Sequence, residues 1–457
     1  MNSIKSLLGG ATAGLSAQKS MMNLIGKNIA NANTPGYSRQ RGVLKAGHGG
    51  QAVSLSDVQA VRSSAIHRSI LGASQAMGFE AGRIEGLSIA EPALNDLDGA
   101  GVSQAMNDFF LAMSELSGEP GGVAERQNLL AKTRSMATSL NTAALGLQEA
   151  QSTAESESKL TVTSINQLTA QIADLNISVT SAAANGQPNG EFVDQRDQLL
   201  AQLAGEIDIQ TVEQPDGAVL VHLSNGVQMV GRDGPSSVAV TGGGPEALGL
   251  TVTKPTGTTV NVGSAPGGRM GGLFSARDVT LQSSLDQLDQ MAFDLATEMN
   301  QLHQTGFGTD GSTGLKMFDV PATAKGAASN IKLSTDIDGQ PEKIAASADA
   351  AMVPGDDTNL KAMLNLQETA FVTGGKTLAQ AYDGAVFTVS VALNNAHSQF
   401  SAAASRADTL ESMRASESGV SLEEEMVNLT QAERAFQAAT RIVETANTLY
   451  DTLFQMV

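Results

Sequence analysis

The residues of this chain that could do chemistry are few and poorly grouped. Gly306-Phe-Gly308-Thr-Asp-Gly311 has the G-x-G-x-x-G spacing that lets a backbone approach a pyrophosphate. That chemistry needs a strand before the glycines, whereas a helical pattern precedes them here, so the match reads as a glycine loop. Ala370-Phe-Val-Thr-Gly374-Gly375-Lys376-Thr377 approximates a P-loop with Ala at the first glycine position. Its upstream segment LKAMLNLQE is helical in pattern and no strand ending in an acidic residue follows, so it reads as a Gly-Gly loop. His48, His67, His222, His303 and His397 are scattered, without an H-E-x-x-H pair or a cysteine to complete a zinc set. Glu423-Glu424-Glu425 places carboxylates in a helix's first turn, where the macrodipole favours negative charge, so capping is preferred to metal binding. With no G-x-S-x-G elbow, the chain is expected to be no enzyme, to take no cofactor, and to hold no catalytic or metal site.

What the sequence does carry is long helical stripes. Ile4, Leu8, Ala11, Leu15, Gln18, Met22, Ile25 and Ile29 step by four and three residues, a seam that needs a second helix and is marginal without one. It must stop at NANTPGYSRQ, Asn31 to Gln40. There Asn31 and Asn33 tolerate left-handed backbone, and Thr34-Pro35-Gly36-Tyr37 centres Pro and Gly in a type II turn. A second seam runs from Leu140 to Val179, with a polar middle that predicts loose or lateral packing, and helical period returns at Leu281–Leu302 and Val386–Leu410. The last helix opens after Gly419 with Ser421 as N-cap and Glu424 at the third position, a capping box. Its stripe contains Leu422, Met426, Leu429, Phe436, Val443 and Tyr450, widened by Ala432, Ala439 and Ala446.

Between the helices, residues 42–60 read as an irregular or extended connector. Val219 to Val230 around Asn225-Gly226 is a hairpin signal with a type I′ turn, and LTVTKPTGTTVNV reads as further short strands. The expected fold is mainly α with an inserted small β domain, elongated and multidomain. Its N- and C-terminal helices pair in a coiled-coil-like terminal domain. The expected division is residues 1–58 with 416–457 as the terminal-helix domain and 59–205 with 270–415 as a helical bundle. The bundle carries an irregular excursion at 306–356, and 206–269 forms the β insertion.

Composition supports this reading. Tryptophan is absent and aromatics are 4%, so Leu, Ala, Met and Val must supply the burial, as in helical bundles. A net charge of −19 argues against nucleic-acid binding. Charge is unevenly spread: residues 1–56 hold six basic and no acidic side chains, and 419–457 hold six acids and two arginines. Two amphipathic ends of opposite charge are best explained by packing on each other. No apolar run approaches the roughly 18 residues of a membrane span, and the apolar stretch after Lys5 is too short and glycine-interrupted for a secretory signal. Membrane insertion is not expected, and export would use another route. The lack of cysteine fits an oxidising exterior reached without oxidative folding.

At NIANANTPGYSRQ (Asn28 to Gln40), preceded by AGLSAQKSMMNLIGK, the chain resembles the bacterial flagellar axial proteins of rod, hook and hook–filament junction. Asp194 to Gly231, the stretch from Gly267 to Phe307 with GGRMGGLFSARD, and the C-terminal GVSLEEEMVNLTQAERAFQAATRIVETANTLYDTL extend the resemblance, the middle stretches toward the junction members. The resemblance implies a structural subunit of the flagellum, used in motility, that joins hook to filament and self-assembles as a homo-oligomer. It would have hook protein on one side and a second junction protein, hook-associated protein 3, on the other. It also implies type III export to the extracellular flagellum without a cleaved signal, with an export chaperone on the C-terminal helix. By carry-over, Ile4, Leu8, Leu15, Met22, Ile25 and Ile29 with Leu422, Met426, Leu429, Phe436, Val443 and Tyr450 would form the assembly interface. Asn33, Thr34, Pro35, Gly36 and Tyr37 would turn the chain outward. An additional outer domain of longer members is expected to be missing. The residues alone leave open a secreted adhesin, its β insertion contacting a surface, or another axial protein of hook or rod type.

Overall fold

The computed structural model describes residues 2–46, 53–94, 101–264 and 267–455, with the side chains of residues 2–7, 450 and 453–455 outside that description. Helix α1 (Asn2–Ala30) turns into an antiparallel hairpin, β1 (Gln40–Ala46) and β2 (Val53–Ala60), where the pattern predicts only an extended connector. Helices α2 (Ser64–Ser88), α3 (Glu91–Leu94), α4 (Val102–Gly118), α5 (Val123–Ala184) and α6 (Gly190–Glu206) follow. After the β insertion come α7 (Gly268–Phe274), a π-helical segment (Ser275–Leu281) and α8 (Gln282–Thr305), continuous with one another. An irregular stretch holds β10 (Phe318–Asp319), α9 (Ala327–Asn330), β11 (Lys332–Leu333) and α10 (Thr358–Leu364). Helices α11 (Leu378–Ser418) and α12 (Leu422–Gln455) close the chain. The architecture is mainly helical with small inserted sheets, as the periodicities predict.

Helix α5 spans 62 residues, about 90 Å at the usual rise. Its first half buries Leu129, Leu140 and Leu147 with Phe109 of α4, Leu288 of α8 and Tyr382 of α11. Its second half buries Ile165 and Ile172 with Leu203 of α6 and the inserted sheets. The polar middle, expected to pack loosely, is tight: Ser158 and Thr161 are fully buried. Their hydroxyls donate to Ala154 O at 2.7 Å and Glu157 O at 2.9 Å, so no donor is stranded and the small side chains let neighbours approach. Close approach continues in α2 and α7, where a Cβ on Gly272 would lie 2.0 Å from Phe79 O and one on Gly82 2.2 Å from Arg269 O. Arg269 then ties the layers together, donating to both carboxylate oxygens of Glu85 (2.8 and 2.7 Å), to Glu157 (3.0 Å) and to Thr161 (2.8 Å).

The insertion forms two antiparallel sheets. The first is β3 (Ile209–Glu213), β4 (Val219–Leu223), β5 (Gln228–Gly231) and β6 (Gly234–Pro235), and the second β7 (Ser237–Gly243), β8 (Glu246–Thr253) and β9 (Thr259–Gly263). Val219, Val221 and Leu223 point inward on alternate positions. The hairpin at Asn225-Gly226 exists, but its turn is not type I′. Gly226 donates to Leu223 O at 2.8 Å and has φ +85°, while no non-glycine residue among those described has positive φ. One extra loop residue permits a type I turn closed by a left-handed glycine, which needs one positive φ instead of two.

Both sheets dock on α5 through asparagines that imitate a neighbouring strand. Asn166 donates to Val238 O at 3.0 Å and accepts from Val238 N at 2.7 Å. Asn176 donates to Val219 O at 2.8 Å and accepts from Val219 N at 2.9 Å. Each amide thereby satisfies the N–H and the C=O of one strand residue.

The motifs that imitate catalytic sites have structural employment. Thr377 of the P-loop-like stretch N-caps α11 in a reciprocal capping box with Gln380, and Val372 bridges Lys376 across the Gly-Gly turn. Gly306 to Gly311 is a loop after α8, fastened by Phe307 pairing with Ser347. His303 is fully buried, its Nδ1 facing Leu315 O at 2.8 Å and its Nε2 accepting from Ala345 N at 3.1 Å. His48 lies outside the described residues.

That pair of contacts requires a neutral imidazole, and burial lowers the His303 pKa below its ordinary value of 6.5. The unfolded chain therefore takes up the proton first. The stabilising contribution is complete above about pH 6.5 and is lost as pH falls below it. Thermal melts across this range should show the loss, and His303→Gln should remove part of the difference. An identical pH profile in that variant would exclude His303 as its source.

Candidate assembly interface

The ends of the chain meet in a polar knot. Helix α1 stops at Ala30; Thr34 donates to Asn31 O at 2.9 Å, Tyr37 to Thr34 O at 3.2 Å, and Gly36 has φ +83°, as a type II turn requires. Asn31 and Asn33 do not use left-handed backbone, since only glycines among the described residues do. The turn is fastened to the body at several points. Gln198 of α6 donates to Pro35 O (2.9 Å), Arg414 of α11 to Gly36 O (3.1 Å), Ser38 N to Asp194 (2.9 Å) and Arg39 N to Ser418 O (2.8 Å). Asn33, Thr34 and Pro35 remain exposed, while Gly36 and Tyr37 are half-buried.

Asn28, 1% exposed, is the centre of the knot. Its amide donates to Gln40 O (2.9 Å) and Glu425 Oε2 (3.1 Å), and its carbonyl accepts from Gln40 N (3.0 Å) and the Tyr37 hydroxyl (2.8 Å). Burial pushes the Tyr37 phenol up to about 12, with Asp194, Glu425 and Glu191 adding to it, so the hydroxyl keeps the proton it donates. Glu425, 2% exposed, also accepts from Arg39 Nε at 2.8 Å, and Arg39 reaches Glu424 at 2.6 Å. Ser421 accepts from Glu424 N at 3.4 Å, so the cap forms while the Glu424 carboxylate serves Arg39.

Below the knot α1 packs along α12. Ala17, Leu24 and Ile25 are buried on one side, Ala432 and Ala446 on the other. Leu8, Leu15, Met22 and Ile29 of the first stripe are half-buried, as are Leu429, Phe436 and Val443 of the last. The side chains of Ile4 and Tyr450 lie outside those described. Leu422 and Met426 face solvent at 50% and 55% exposure, in the company of Val427, Ile442 and Leu449. On the α12 side the intrachain seam is thus lined by small residues that let the helices approach, and larger apolar groups of α12 remain on the outside. A groove of about 750 Å³ between α1, β1 and α12, with Met21, Leu44 and Ala435 in its walls, adds to this open surface.

The sequence marks Asn28, Arg39 and Glu425 only as a motif residue, a surplus charge and a member of an acidic run. Their meeting across 386 and 397 positions has no local signal. Among the described residues no group of His, Cys, Asp and Glu is arranged to hold a metal ion. The arrangement is suited to joining helices.

Removing Arg39 leaves the Glu425 carboxylate buried with Asn28 alone, and breaking one side of a buried pair costs about 3–5 kcal/mol; the partial exposure of Arg39 puts this case at the lower end. We expect Arg39→Ala to speed amide exchange throughout α12 without changing exchange in β3 to β9, and Arg39→Lys to recover part of the loss. Equal protection of α12 in Arg39→Ala would refute this.

Profiles of known families match along this frame. That of the flagella basal body rod proteins matches residues 10–37, and that of the flagellar basal body rod FlgEFG protein C-terminal region matches 414–456. The helical domain of flagellar hook-associated protein FlgK matches residues 87–318, half of the chain. Flagellar hook-associated protein 1 of Bacillus subtilis is 26% identical, with 96% of each chain covered. Those of Salmonella typhimurium and Escherichia coli are 24% identical over 99% of this chain and 100% of theirs. The solved structure of the flagellar hook junction protein FlgK from Burkholderia pseudomallei shares the fold, with TM-score 0.64 and 16% identity over 77% of this chain and 100% of that one. Paired chain ends that match rod-protein profiles, carried on a helical body, define a flagellar axial protein. Within that class the chain belongs to the FlgK family of hook-associated proteins.

Proposed function

We propose that this chain is a structural subunit of the bacterial flagellum at the junction of hook and filament, and that it polymerises through the outward faces of its paired terminal helices. The observation that carries the reading is the apolar face of α12, left open while the inner face packs on α1, in the regions that match rod proteins at both ends. Hook protein would lie on one side and hook-associated protein 3 on the other. Before assembly α12 would be held by an export chaperone, and the chain would reach the exterior without a cleaved signal. Its work is mechanical joining and not catalysis, which accords with the capping and turn roles of the residues that imitate active sites.

Cells lacking the gene should carry bare hooks by electron microscopy, and purified chain should restore filament growth on isolated hooks when the remaining components are supplied. Intact filaments in the deletion strain would exclude the assignment.

A further inference from the structure

The α12 seam repeats itself. Glu425, Ala432, Ala439 and Ala446 follow at seven-residue intervals, with Glu425, Ala432 and Ala446 at 2%, 6% and 2% exposure. Along such a row a shift of one heptad lays alanine where alanine was, so apolar packing distinguishes the registers weakly. The row has one dissimilar member, Glu425, and opposite it stands Asn28, a buried amide with every bonding site occupied. In a shifted register Asn28 would face Ala432, and the amide and the carboxylate would each lose a partner while still buried, the most expensive outcome for a polar group.

We infer that Asn28 and Glu425 are register-determining residues, which admit a single axial alignment of α1 on α12 and discriminate against slipped pairings. This rests on the reading of the paired helices as the assembly unit. Within one chain the bond from Arg39 N to Ser418 O and the short link at 419–421 already restrain α12. The discrimination matters most where terminal helices of several copies are crowded together and exchange of partners becomes possible. A buried asparagine that sets helix register at some cost in stability is an established device in coiled coils.

The chain has no cysteine, so spin labels can be attached through cysteines introduced at the exposed positions Lys19 and Glu433 and their separation measured by pulsed dipolar spectroscopy. The purified, otherwise unaltered chain should give one narrow distance. With Asn28→Leu and Glu425→Leu together, which leave Arg39 its Glu424 partner, helix content should persist. A second population at longer distance should then emerge, because a slip of seven helical residues moves the labelled positions about 10 Å past one another along the axis. Glu425→Gln, whose carbonyl oxygen can still accept from Asn28 while Arg39 keeps Glu424, should keep the single distance. One unchanged narrow distance in the double variant, or a split distance in Glu425→Gln, would overturn the proposal. Because the labels report on the isolated chain, this outcome is separate from capping: failure of the unaltered chain to cap hooks would count against the junction role and leave the register result standing.

Discussion

A chain carrying Met426→Ser, Ile442→Ser and Leu449→Ser is expected to melt as the unaltered protein does and to fail to assemble. These side chains are 55%, 46% and 52% exposed, and none belongs to the buried core clusters, so unfolding of the body loses little when they change. If neighbouring subunits cover that face, burying the exposed half of each side chain is worth about 1 kcal/mol. The three together supply roughly 3 kcal/mol per subunit, more than a hundredfold in association, and the deficit recurs at every subunit of a closed assembly. Thermal unfolding and capping of isolated hooks form the pair of measurements. A variant that still builds stable junctions, or one that melts far below the unaltered chain, would show that this face has another purpose.

The second large effect lies in the body. In Gly272→Ala the new methyl would sit 2.0 Å from Phe79 O, 2.8 Å from Arg83 N and 3.0 Å from the Gly82 Cα, all of them backbone atoms of α2. No rotamer change relieves such a contact; α2 or α7 must withdraw, and Arg269, which bridges α2 to α5, must move as well. Overpacking of this kind costs about 3 kcal/mol or more. Urea denaturation followed by circular dichroism reads it. Gly72→Ala is the control: it lies in α2, the helix that the Gly272 methyl would strike, with nothing within 4 Å of its Cβ, and should stabilise by about 0.5–1 kcal/mol through helix propensity alone. Similar midpoints for the two variants would dismiss the backbone contact as a determinant of stability.

How far the molecule could be read from its residues depends on the range over which each feature is determined. The stripes of α1, α5 and α12 are periodic and so legible, and the Pro35-Gly36 turn carries its own chemistry. Asn225-Gly226 announces a hairpin but not its loop length, and loop length selected the turn type. Which of two adjacent stripes on α12 faces α1 is decided by how closely two backbones can approach. Periodicity alone weights Leu429 and Phe436 above Ala432 and Ala446. The polar stretch around Ser158 suggests loose or lateral packing because hydroxyls that bond back to their own helix look the same in sequence as hydroxyls that need water. Asn166 and Asn176 are hidden for a simpler reason: they meet the strands through backbone atoms, which have no residue identity to recognise.

That last property bears on how such a protein can diversify. Asn166 and Asn176 form two sockets on one rod, about 15 Å apart along its axis. Each meets its sheet through the backbone N–H and C=O of one residue, Val238 or Val219, whose side chain is buried. The two asparagines thus fix where the sheets sit along the rod, and the apolar core shared with Ile165 and Ile172 holds them there. Exchanging or shedding those hairpins therefore demands more than new backbone partners, because Ile165 and Ile172 would lose their cover.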